Sequence, residues 1–586
     1  MNIVTMDVQN NGLSGLERET VDALVISTAF SPDEKFDTSV VSLDDPIISQ
    51  RLGNTESILS SGFSALKNGG LLFVYGLPKW LPHIGVFLDS LEDSRSRMIF
   101  KYWVALDLDL RPRGETLPPT HMGLLMYLKS AKGDLVSPFH LNTKNVRVPY
   151  IRCKACGVNT KDWGGKKHLL NPLGAAVSDV WRDLQKTKIE DNAIPKEVLE
   201  RVYKLLERDG INFVHAIEKC TIPPVRQPDA IRSARTGRTE ITTPFDSQLD
   251  VVIQTDALSY MEKVLELHPD GIFDTVFADP PYNLEKGYGQ YRDSLSDKTY
   301  IEWSYTWLDL MSKVVRPGGA LFVLNLPKYC IHYAAFLNQR MSFRHWIAWD
   351  SMSTPAGKIM PAHYSLLYYT KPRKSITFNY EAKTRDDLNI LNPLDADHYC
   401  LRQECINKRK MLGDDDKTEL NDVWWNIHRI KHKKYRDQHP CQLPIKLMER
   451  IIKLTTDTGD VVFDPFCGAG TTAIAAKMAG RHFVTTDIDE KYVNIARRNI
   501  QGMQPTLLGN YYLVRQTQRY RRGSSTKKGV ETIYIQLCQK QAKVLELEEV
   551  AKLDRDLYDR VTGFYQDFKR LKKIAHRRLE ILGLLQ

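Results

Sequence analysis

The stretch Phe273-Asp-Thr-Val-Phe-Ala-Asp-Pro-Pro-Tyr282 sets the frame for the whole chain. Its apolar run, which ends at Ala278, is typical of a buried strand. Asp279-Pro280-Pro281-Tyr282 follows as a rigid corner, because proline fixes φ and has no N–H to donate. An acid, two proline carbonyls and an aromatic ring predict a pocket that suits a planar base with an exocyclic amine. A plain strand followed by a Pro-Pro turn is the alternative.

A second motif lies further along the chain, at Val461-Val-Phe-Asp464-Pro-Phe466-Cys467-Gly468-Ala-Gly470-Thr471-Thr472-Ala473. The pattern predicts a strand, a glycine turn and a helix over Ala473–Ala479. Glycines allow close backbone approach to a ligand, and a helix N-terminus favours an anionic group. The next predicted strand, His482–Thr486, ends in Asp487, where an acid suits a ribose diol. The whole series predicts a nucleoside-type cofactor site rather than a bare structural turn.

The first part of the chain repeats the pattern of the second part. Matching segments keep their order and nearly constant spacing, which indicates a long internal duplication. The matched pairs are Lys67–Trp80 with Arg316–Tyr329, His121–Tyr127 with His363–Tyr369, Ser178–Trp181 with Asn421–Trp424, and Ile194–Arg201 with Leu443–Arg450. The turn Asn68-Gly69-Gly70 is expected to precede a strand at Leu71–Tyr75.

The two copies differ at both motifs. Ser27-Thr-Ala-Phe30 stands where the second copy has Asp279–Tyr282. The segment Gly210–Lys219 lies over the cofactor turn but lacks its glycines, and His215 replaces Asp464. The first copy is therefore predicted to bind no cofactor by this route, which leaves one working site in the chain.

Composition sets broad limits. The chain has 586 residues, 42% of them hydrophobic, and a net charge of +10. No apolar run approaches the ~18 residues that span a bilayer, and the N-terminus shows no signal pattern. The nine cysteines are scattered and odd in number, which is unlike a disulfide framework. A soluble cytoplasmic protein is the expectation.

The C-terminal region carries most of the positive charge. Residues 510–586 hold 17 Lys and Arg against 9 Asp and Glu. The basic run Arg515–Arg522 contains Tyr520 and suggests contact with a phosphate backbone, with a solvated helical face as the alternative. A long helical pattern is predicted after it, from apolar residues at helical spacing. These residues are Leu545, Val550, Leu553, Leu557 and Val561.

With both motifs in this order, the chain resembles the β-class DNA amino-methyltransferases. These enzymes transfer a methyl group from S-adenosylmethionine to adenine N6 or cytosine N4. Two further family motifs fit, Thr255-Asp256-Ala257-Leu258 and His439-Pro-Cys-Gln442-Leu-Pro444, although family members often have lysine where this chain has Leu443. The resemblance covers Leu249–Gln504. It implies an α/β fold, Rossmann-like and S-adenosylmethionine-dependent, here duplicated and followed by a helical C-terminal tail.

The resemblance also implies a role for each motif residue. The implied catalytic set is Asp279, Pro280, Pro281 and Tyr282. Asp279 would accept a hydrogen bond from the target amino group, together with the carbonyl of Pro280. Tyr282 would stack on a base flipped out of the duplex. The cofactor would have its ammonium at Asp464, its ribose at Asp487 and its adenine at Asp256. The implied cofactor-binding set is Asp256, Ala257, Asp279, His439, Gln442, Asp464, Phe466, Cys467, Gly468, Gly470, Thr471, Thr472 and Asp487. In-line displacement of this kind needs no metal and no nucleophilic Cys467.

The degenerate copy suggests a covalent pseudo-dimer. Members of the family commonly work as dimers, so the first copy could supply the second subunit's surface within one chain. The protein would then act as a monomer. A relic kept for stability is the alternative.

The cysteines suggest a possible metal site. Cys153-Lys-Ala-Cys156 and Cys400-Leu-Arg-Gln-Glu-Cys405 occupy similar places in the two copies. Two such pairs could close one tetrahedral zinc site that joins the halves. The spacing of the second pair is loose, and thiols without metal are the alternative.

The resulting domain boundaries are a degenerate methyltransferase-like domain at 1–220, a linker at 221–248, a catalytic domain at 249–504 and a basic helical region at 505–586. A target-recognition segment is expected at about 372–438. Its clusters Lys408-Arg409-Lys410 and Arg429–Arg436 would contact phosphates of double-stranded DNA.

The first functional hypothesis is methylation of adenine N6, because family members acting on cytosine more often begin the corner with serine than with an acid such as Asp279. Cytosine N4 methylation is the second hypothesis. A DNA-binding scaffold without activity is the third, and the intact acids of both motifs oppose it. Any restriction endonuclease partner would be a separate chain, because no nuclease motif is apparent.

Overall fold

The structure, a computed structural model, describes residues 2–8, 13, 15–108, 116–133, 136–144, 146–150, 152–153, 155–158, 171–184, 187–189, 191–219, 249–284, 287–288, 291–292, 294–351, 358–373, 375–380, 392–393, 402–411, 417–418, 420–427, 429–430, 442–505, 511–513, 534–539, 541, 543–553, 555–564 and 568–581. Outside these residues lie His439, Cys400, the basic run Arg515–Arg522, the linker 221–248 and parts of the target-recognition segment.

The first part of the chain forms a seven-stranded sheet in the order β1-β9-β2-β3-β5-β4-β8, and β6 pairs with β7 apart from it. The strands are β1 (Asn2–Val8), β2 (Val21–Ser27), β3 (Leu66–Gly76), β4 (Ser96–Asp107), β5 (His121–Ala131), β6 (Arg147–Val148), β7 (Ala175–Ala176), β8 (Val180–Trp181) and β9 (Asn212–Glu218). The helices are α1 (Pro46–Ala65), α2 (Leu81–Ser90) and α3 (Lys196–Leu206), with 3₁₀ turns at Pro32–Phe36 and Arg182–Leu184.

The second part forms an eight-stranded sheet in the order β10-β21-β20-β11-β14-β16-β15-β19, and β12-β13, β17-β18 and β22-β23 are separate two-stranded pairs. The strands are β10 (Val251–Gln254), β11 (Phe273–Ala278), β12 (Gly287–Tyr288), β13 (Tyr291–Arg292), β14 (Val315–Asn325), β15 (Ser342–Asp350), β16 (His363–Thr370), β17 (Asn392–Pro393), β18 (Lys417–Thr418), β19 (Val423–Trp424), β20 (Val461–Asp464), β21 (His482–Asp487), β22 (Met503–Pro505) and β23 (Tyr511–Leu513). The helices are α4 (Ala257–Leu267), α5 (Asp297–Val314), α6 (Pro327–Asn338), α7 (Gln403–Met411), α8 (Ile445–Thr455), α9 (Thr471–Met478) and α10 (Glu490–Gln501).

Local sequence explains the central elements. All six residues of β11 are buried, as expected for a parallel strand covered on both faces. The side chain of Ser296 caps α5 by accepting a hydrogen bond from the N–H of Thr299 at 3.2 Å. The side chain of Asp45 caps α1 in the same way, and Pro46 follows at the first helical position.

The two sheets repeat one topology. In each, a parallel block is followed by an antiparallel strand, β5 in the first sheet and β16 in the second. The glycine turn predicted before Leu71 lies instead inside β3 at a shift of register, and the matching glycines lie inside β14 at an equivalent shift. Gly69 and Gly318 adopt φ of +84° and +79° at these two shifts. The matching irregularities support the interpretation of a duplication.

The two sheets meet through reciprocal contacts between equivalent residues. The carboxylate of Asp422 accepts hydrogen bonds from the N–H groups of Thr120 and His121 in the first copy, each at 2.9 Å. The carboxylate of Asp179 accepts one from the N–H of Ala362 at 2.7 Å and lies 3.2 Å from Nδ1 of His363. Each aspartate thus binds the start of the other copy's antiparallel strand. This reciprocity is the mark of a twofold-like interface, here called the pseudo-twofold interface.

Aromatic stacking lies at the centre of the pseudo-twofold interface. The rings of Trp103 and Trp346, which occupy equivalent positions, stack with centroids 3.8 Å apart and planes 6° from parallel. Nearby, α2 approaches α6 so closely that a Cβ on Gly85 would lie 2.6 Å from Ile331. One apolar core therefore runs through both sheets.

Residues 497–586 form a second compact unit. Its helices are α11 (Leu547–Leu553), α12 (Arg555–Phe564) and α13 (Phe568–Ile581). The expected long helix is thus two helices, and Leu553 is 49% exposed rather than part of the apolar face. Leu571, Ala575 and Leu579 are buried on one face of α13, and its basic residues Lys569, Lys573 and Arg577 are exposed.

Among the helices described, none combines the length and apolarity needed to cross a membrane.

We expect Asp422→Ala to weaken the pseudo-twofold interface. Burial alone would raise the pKa of Asp422, but hydrogen bonds and charge from His345 and His121 lower it, so the buried carboxylate is ionised and bonded on several sides. Its removal leaves buried N–H groups without an acceptor, at a cost of about 2–3 kcal/mol. Urea unfolding measures the change, with the exposed Glu262→Ala as control. An unchanged unfolding midpoint would show that the contact is dispensable.

Candidate active site

The site is built at the carboxyl ends of four neighbouring strands. The parallel order β10-β21-β20-β11 brings their ends to one edge of the sheet. Asp256, Asp487, Asp464 and Asp279 end or follow these strands in that spatial order. Ligands of open α/β sheets bind at such edges. The acids of both sequence motifs therefore face one region.

The corner after β11 is fixed by tyrosines. The Tyr282 hydroxyl donates to the Asp279 carboxylate at 2.5 Å. The carbonyl of Pro281 accepts a hydrogen bond from the Tyr300 hydroxyl. That hydroxyl in turn accepts one from the amide of Asn325 at 2.9 Å. The network positions the carboxylate of Asp279, which is half-buried.

Asn283 closes the corner in a conformation that asparagine tolerates. Its φ is +54°, in the left-handed region. Its side chain exchanges two hydrogen bonds with the backbone of Leu295, donating at 2.9 Å and accepting at 2.8 Å. These bonds secure the loop that follows the corner.

Asp464 is a buried acid at the end of β20. One oxygen accepts a hydrogen bond from the N–H of Phe466 at 2.9 Å, and the other accepts one from the Thr472 hydroxyl at 2.5 Å. Burial, which outweighs these bonds, raises the pKa of Asp464 to about 7. A cation bound next to this carboxyl would lower its pKa and favour the ionised form, so the site is suited to a cationic group.

Asp487, the last residue of β21, is hydrogen-bonded to the glycine turn. Its carboxylate accepts hydrogen bonds from the N–H of Gly468 at 2.8 Å and of Asp489 at 3.0 Å. Burial raises its pKa to about 6. Gly470 has φ of +81° and begins α9, and a Cβ there would lie 2.9 Å from Ala496. The turn thus needs glycine for its packing as well as for its conformation.

Both motifs line one cavity of about 240 Å³. The residues expected from the sequence that line it are Asp256, Ala257, Asp279, Pro280, Pro281, Gln442, Asp464, Phe466, Cys467, Gly468, Thr471, Thr472 and Asp487. Gly470 packs behind the turn, and His439 lies outside the described residues. Asp256 also caps α4 by accepting a hydrogen bond from the N–H of Ser259 at 2.9 Å.

Tyr282 does not face the cavity. Its side chain is 3% exposed, and its ring lies 5.5 Å from that of Tyr364. A base could stack on it only after this corner rearranged. In the structure its hydroxyl donates a hydrogen bond to the Asp279 carboxylate.

Several lining residues were not anticipated from the sequence. Ile488 and Asp489 directly follow Asp487, so their adjacency was a usable signal. Trp303 on α5 and Tyr492 on α10 had no such signal, since helix packing brings them to the cavity. The set is Phe277, Trp303, Leu443, Pro465, Ala469, Ile488, Asp489 and Tyr492.

Cys467 is buried in the turn, and burial raises the pKa of its thiol well above the ordinary value. A thiol held protonated is a poor nucleophile. This agrees with the expectation that it takes no nucleophilic part.

The equivalent strand ends of the first copy are closed by protein groups. The Glu218 carboxylate accepts hydrogen bonds from the N–H of Ala29 at 3.2 Å and from the Thr55 hydroxyl at 2.9 Å. Arg51 donates to the carbonyl of Ala29 and pairs with Glu34 at 2.5 Å. His215 lies opposite Val25 in the pairing of β9 with β2. This is the place in the first sheet that corresponds to Asp464 in the pairing of β20 with β11.

Fold and site together define an α/β protein with a nucleoside-type cofactor cavity beside an acid-proline-proline corner. A family profile described as DNA methylase, of the N6 and N4 methyltransferases, matches residues 273–498. The type II methyltransferase M.HpaI of Haemophilus parainfluenzae is 30% identical over 245 residues, which are 41% of this chain and 72% of that protein. The chain belongs to this DNA methylase family.

Two other relatives differ from it in identity and in the share of their length that is covered. The type II methyltransferase M.BamHI of Bacillus amyloliquefaciens is 34% identical over 284 residues, 47% of this chain, and the chain spans 62% of its length. The DNA adenine methyltransferase YhdJ of Escherichia coli K12 is 26% identical over 268 residues, 44% of this chain and 85% of that protein. Among solved structures, the M1.HpyAVI complex with S-adenosylmethionine is 19% identical, covering 42% of this chain and 97% of that chain with a TM-score of 0.30.

We expect Asp464→Asn to change how stability depends on pH. An unfolded aspartate titrates near 3.8 and the folded carboxyl near 7, so between these values only the folded state keeps the proton. The ligand-free parent therefore loses stability as pH rises from about 4 to about 7, and the variant does not. Thermal melting at several pH values should show the variant gaining relative to the parent as pH rises.

The exposed Glu490→Gln serves as the control and should follow the parent's profile. A difference between Asp464→Asn and parent that stays constant with pH would contradict a raised pKa at this carboxyl.

Proposed function

We propose that this chain is a site-specific DNA methyltransferase that moves a methyl group from S-adenosylmethionine to adenine N6 in duplex DNA, after the base flips out. The observation that carries the proposal is the shared cavity: Asp279 and Pro280 line the same space as Asp464 and Asp487. Methyl donor and acceptor amine can therefore meet there. Direct displacement requires this juxtaposition, because positioning supplies much of the rate.

The donor set of the cavity fits S-adenosylmethionine. The carboxyl of Asp464 suits its ammonium, that of Asp487 suits a ribose diol, and Phe466 offers an aromatic wall. When bound, the cofactor supplies an electrophilic methyl group on a sulfonium. Phe466 itself packs edge-on against Trp307, with centroids 5.5 Å apart, which keeps that wall rigid.

At the acceptor side, the amino group would donate to the Asp279 carboxylate and the Pro280 carbonyl. These bonds orient the nitrogen lone pair towards the methyl carbon. The Tyr282 hydroxyl holds the carboxylate in place through its 2.5 Å hydrogen bond. Rigid support of this kind avoids reorganisation during the reaction.

Adenine is favoured over cytosine for two reasons. The corner begins with an acid, Asp279, and one relative is named as an adenine methyltransferase. Cytosine N4 is the second candidate, because the corner recognises an exocyclic amine and both bases carry one.

The first copy would act as the second subunit's surface, so that the chain works as a monomer on double-stranded DNA. The closed strand ends around Glu218 support a non-catalytic role for it. The names of two relatives as type II methyltransferases suggest a restriction-modification setting, in which the endonuclease is a separate chain.

We expect Asp279→Ala to lower the methylation rate by about 100-fold or more, because it removes an acceptor for the reacting amine. DNA binding, measured by fluorescence anisotropy, should stay close to that of the parent. The exposed Glu266→Gln should keep full activity.

Mass spectrometry of nucleosides from methylated DNA gives the modified base in the same experiment. If the product is N4-methyldeoxycytidine, the target base is cytosine and not adenine. Unchanged activity of Asp279→Ala would refute the catalytic assignment of Asp279.

We expect S-adenosylmethionine to bind more tightly as pH rises towards 7. Because the pKa of Asp464 is about 7 without ligand, pairing with the ammonium must expel a proton. Affinity should then fall by up to about tenfold for each pH unit below that value. Titration calorimetry can follow this.

5′-Methylthioadenosine, which lacks the amino-acid part, should show a weaker pH dependence. Equal dependence for both ligands would place the ammonium away from Asp464.

A further inference from the structure

Three cysteine thiols from the two copies meet outside the active site. Cys153 and Cys156 belong to the first copy, and Cys405 lies on α7 of the second. Their sulfur atoms all lie within 4.8 Å of one another. Cys153 and Cys405 are buried, whereas Cys156 is exposed. Packing in an apolar environment would account for cysteine at the two buried positions, but it does not account for cysteine at the exposed position 156.

The segment around Cys153 and Cys156 forms a tight turn. The N–H of Cys153 donates to the carbonyl of Val158, and the N–H of Gly157 donates to the carbonyl of Cys153, both at 2.8 Å. Gly157 has φ of +69°, a conformation in which glycine avoids the strain of a side chain. The turn presents both thiols of a Cys-x-x-Cys pair to the same point, a spacing that is frequent in structural zinc sites.

The distances suit a metal better than a disulfide. A tetrahedral zinc ion with Zn–S bonds of about 2.3 Å separates its sulfur ligands by about 3.8 Å, which lies within the observed limit. A disulfide joins only two sulfur atoms, at about 2.05 Å, and gives no reason for a third thiol in the group. Thiolate ligands also favour zinc over calcium or magnesium, which prefer oxygen.

We propose that Cys153, Cys156 and Cys405 bind one zinc ion that links the first copy to α7 of the second. Tetrahedral coordination leaves one position for a further ligand.

This site has a structural role in the proposal. Its ligands come from both copies, so the ion cross-links the degenerate copy to the segment expected to recognise DNA. It lies apart from the cavity residues and is independent of the chemistry of methyl transfer.

Metal analysis of the full chain, purified under reducing conditions and equilibrated with zinc, tests the proposal. We expect about one zinc per chain. Cys153→Ser and Cys405→Ser should lose it, while Cys538→Ser, a buried cysteine elsewhere, should retain it. Replacement by cobalt should give the intense near-ultraviolet thiolate-to-cobalt absorption in the parent and in Cys538→Ser only.

A measurement on the unmutated chain covers variants that fail to fold. The exposed Cys156 should resist alkylation while zinc is bound and react after a chelator removes it. A folded, reduced chain that takes up no zinc would overturn the proposal. So would full zinc content in a Cys153→Ser/Cys156→Ser double variant, or a Cys153–Cys156 disulfide found by mass spectrometry in chains without metal.

Discussion

Parallel pairing of β20 with β11 is the constraint on which the site depends. Two segments nearly 200 residues apart in sequence, the proline corner and the glycine turn, share one cavity only because their strands are neighbours. The adjacent strand β21 adds Asp487 to the same edge. All six residues of β11 are buried, which places this strand in the covered middle of the sheet directly before Asp279.

The first part of the chain contacts the second part through residues at the ends of its strands. Asp179 and Asp422 exchange equivalent contacts across the pseudo-twofold interface, and the stacked tryptophans fill its centre. Meanwhile Glu218 and Arg51 occupy the strand ends where a ligand would otherwise bind. The first copy therefore shares the contacts that join the halves with the second copy, while its own strand ends are filled by protein groups.

Much of this could be predicted from sequence, for identifiable physical reasons. The strand Phe273–Ala278 matches the structure at both ends, because a strand buried on both faces reads as one apolar run. Asp279, Asp464 and Asp487 were found because each follows an apolar run, whereas Asp256 was found through the family resemblance and Asp489 was not anticipated. Their binding roles remain predictions.

Other features depend on packing that spacing does not encode. Trp303 and Tyr492 reach the cavity through the placement of whole helices. The matched segments around Asp179 and Asp422 were visible as a repeat, but their reason, the capping of the opposite copy, appears only in three dimensions. Packing also determines the surroundings of Tyr282, which contacts Tyr364 and Asp279, while its expected stacking on a flipped base stays a prediction.

The Trp103–Trp346 stack has a consequence for how assembly responds to dilution. In a dimer of separate chains, an equivalent contact forms at a rate that depends on protein concentration, and rare chains remain apart. Here the two rings belong to one polypeptide, so each copy meets the other at a fixed effective concentration. A cell holding only a few molecules of the protein would still have every interface formed, and the two halves would always be present in equal number.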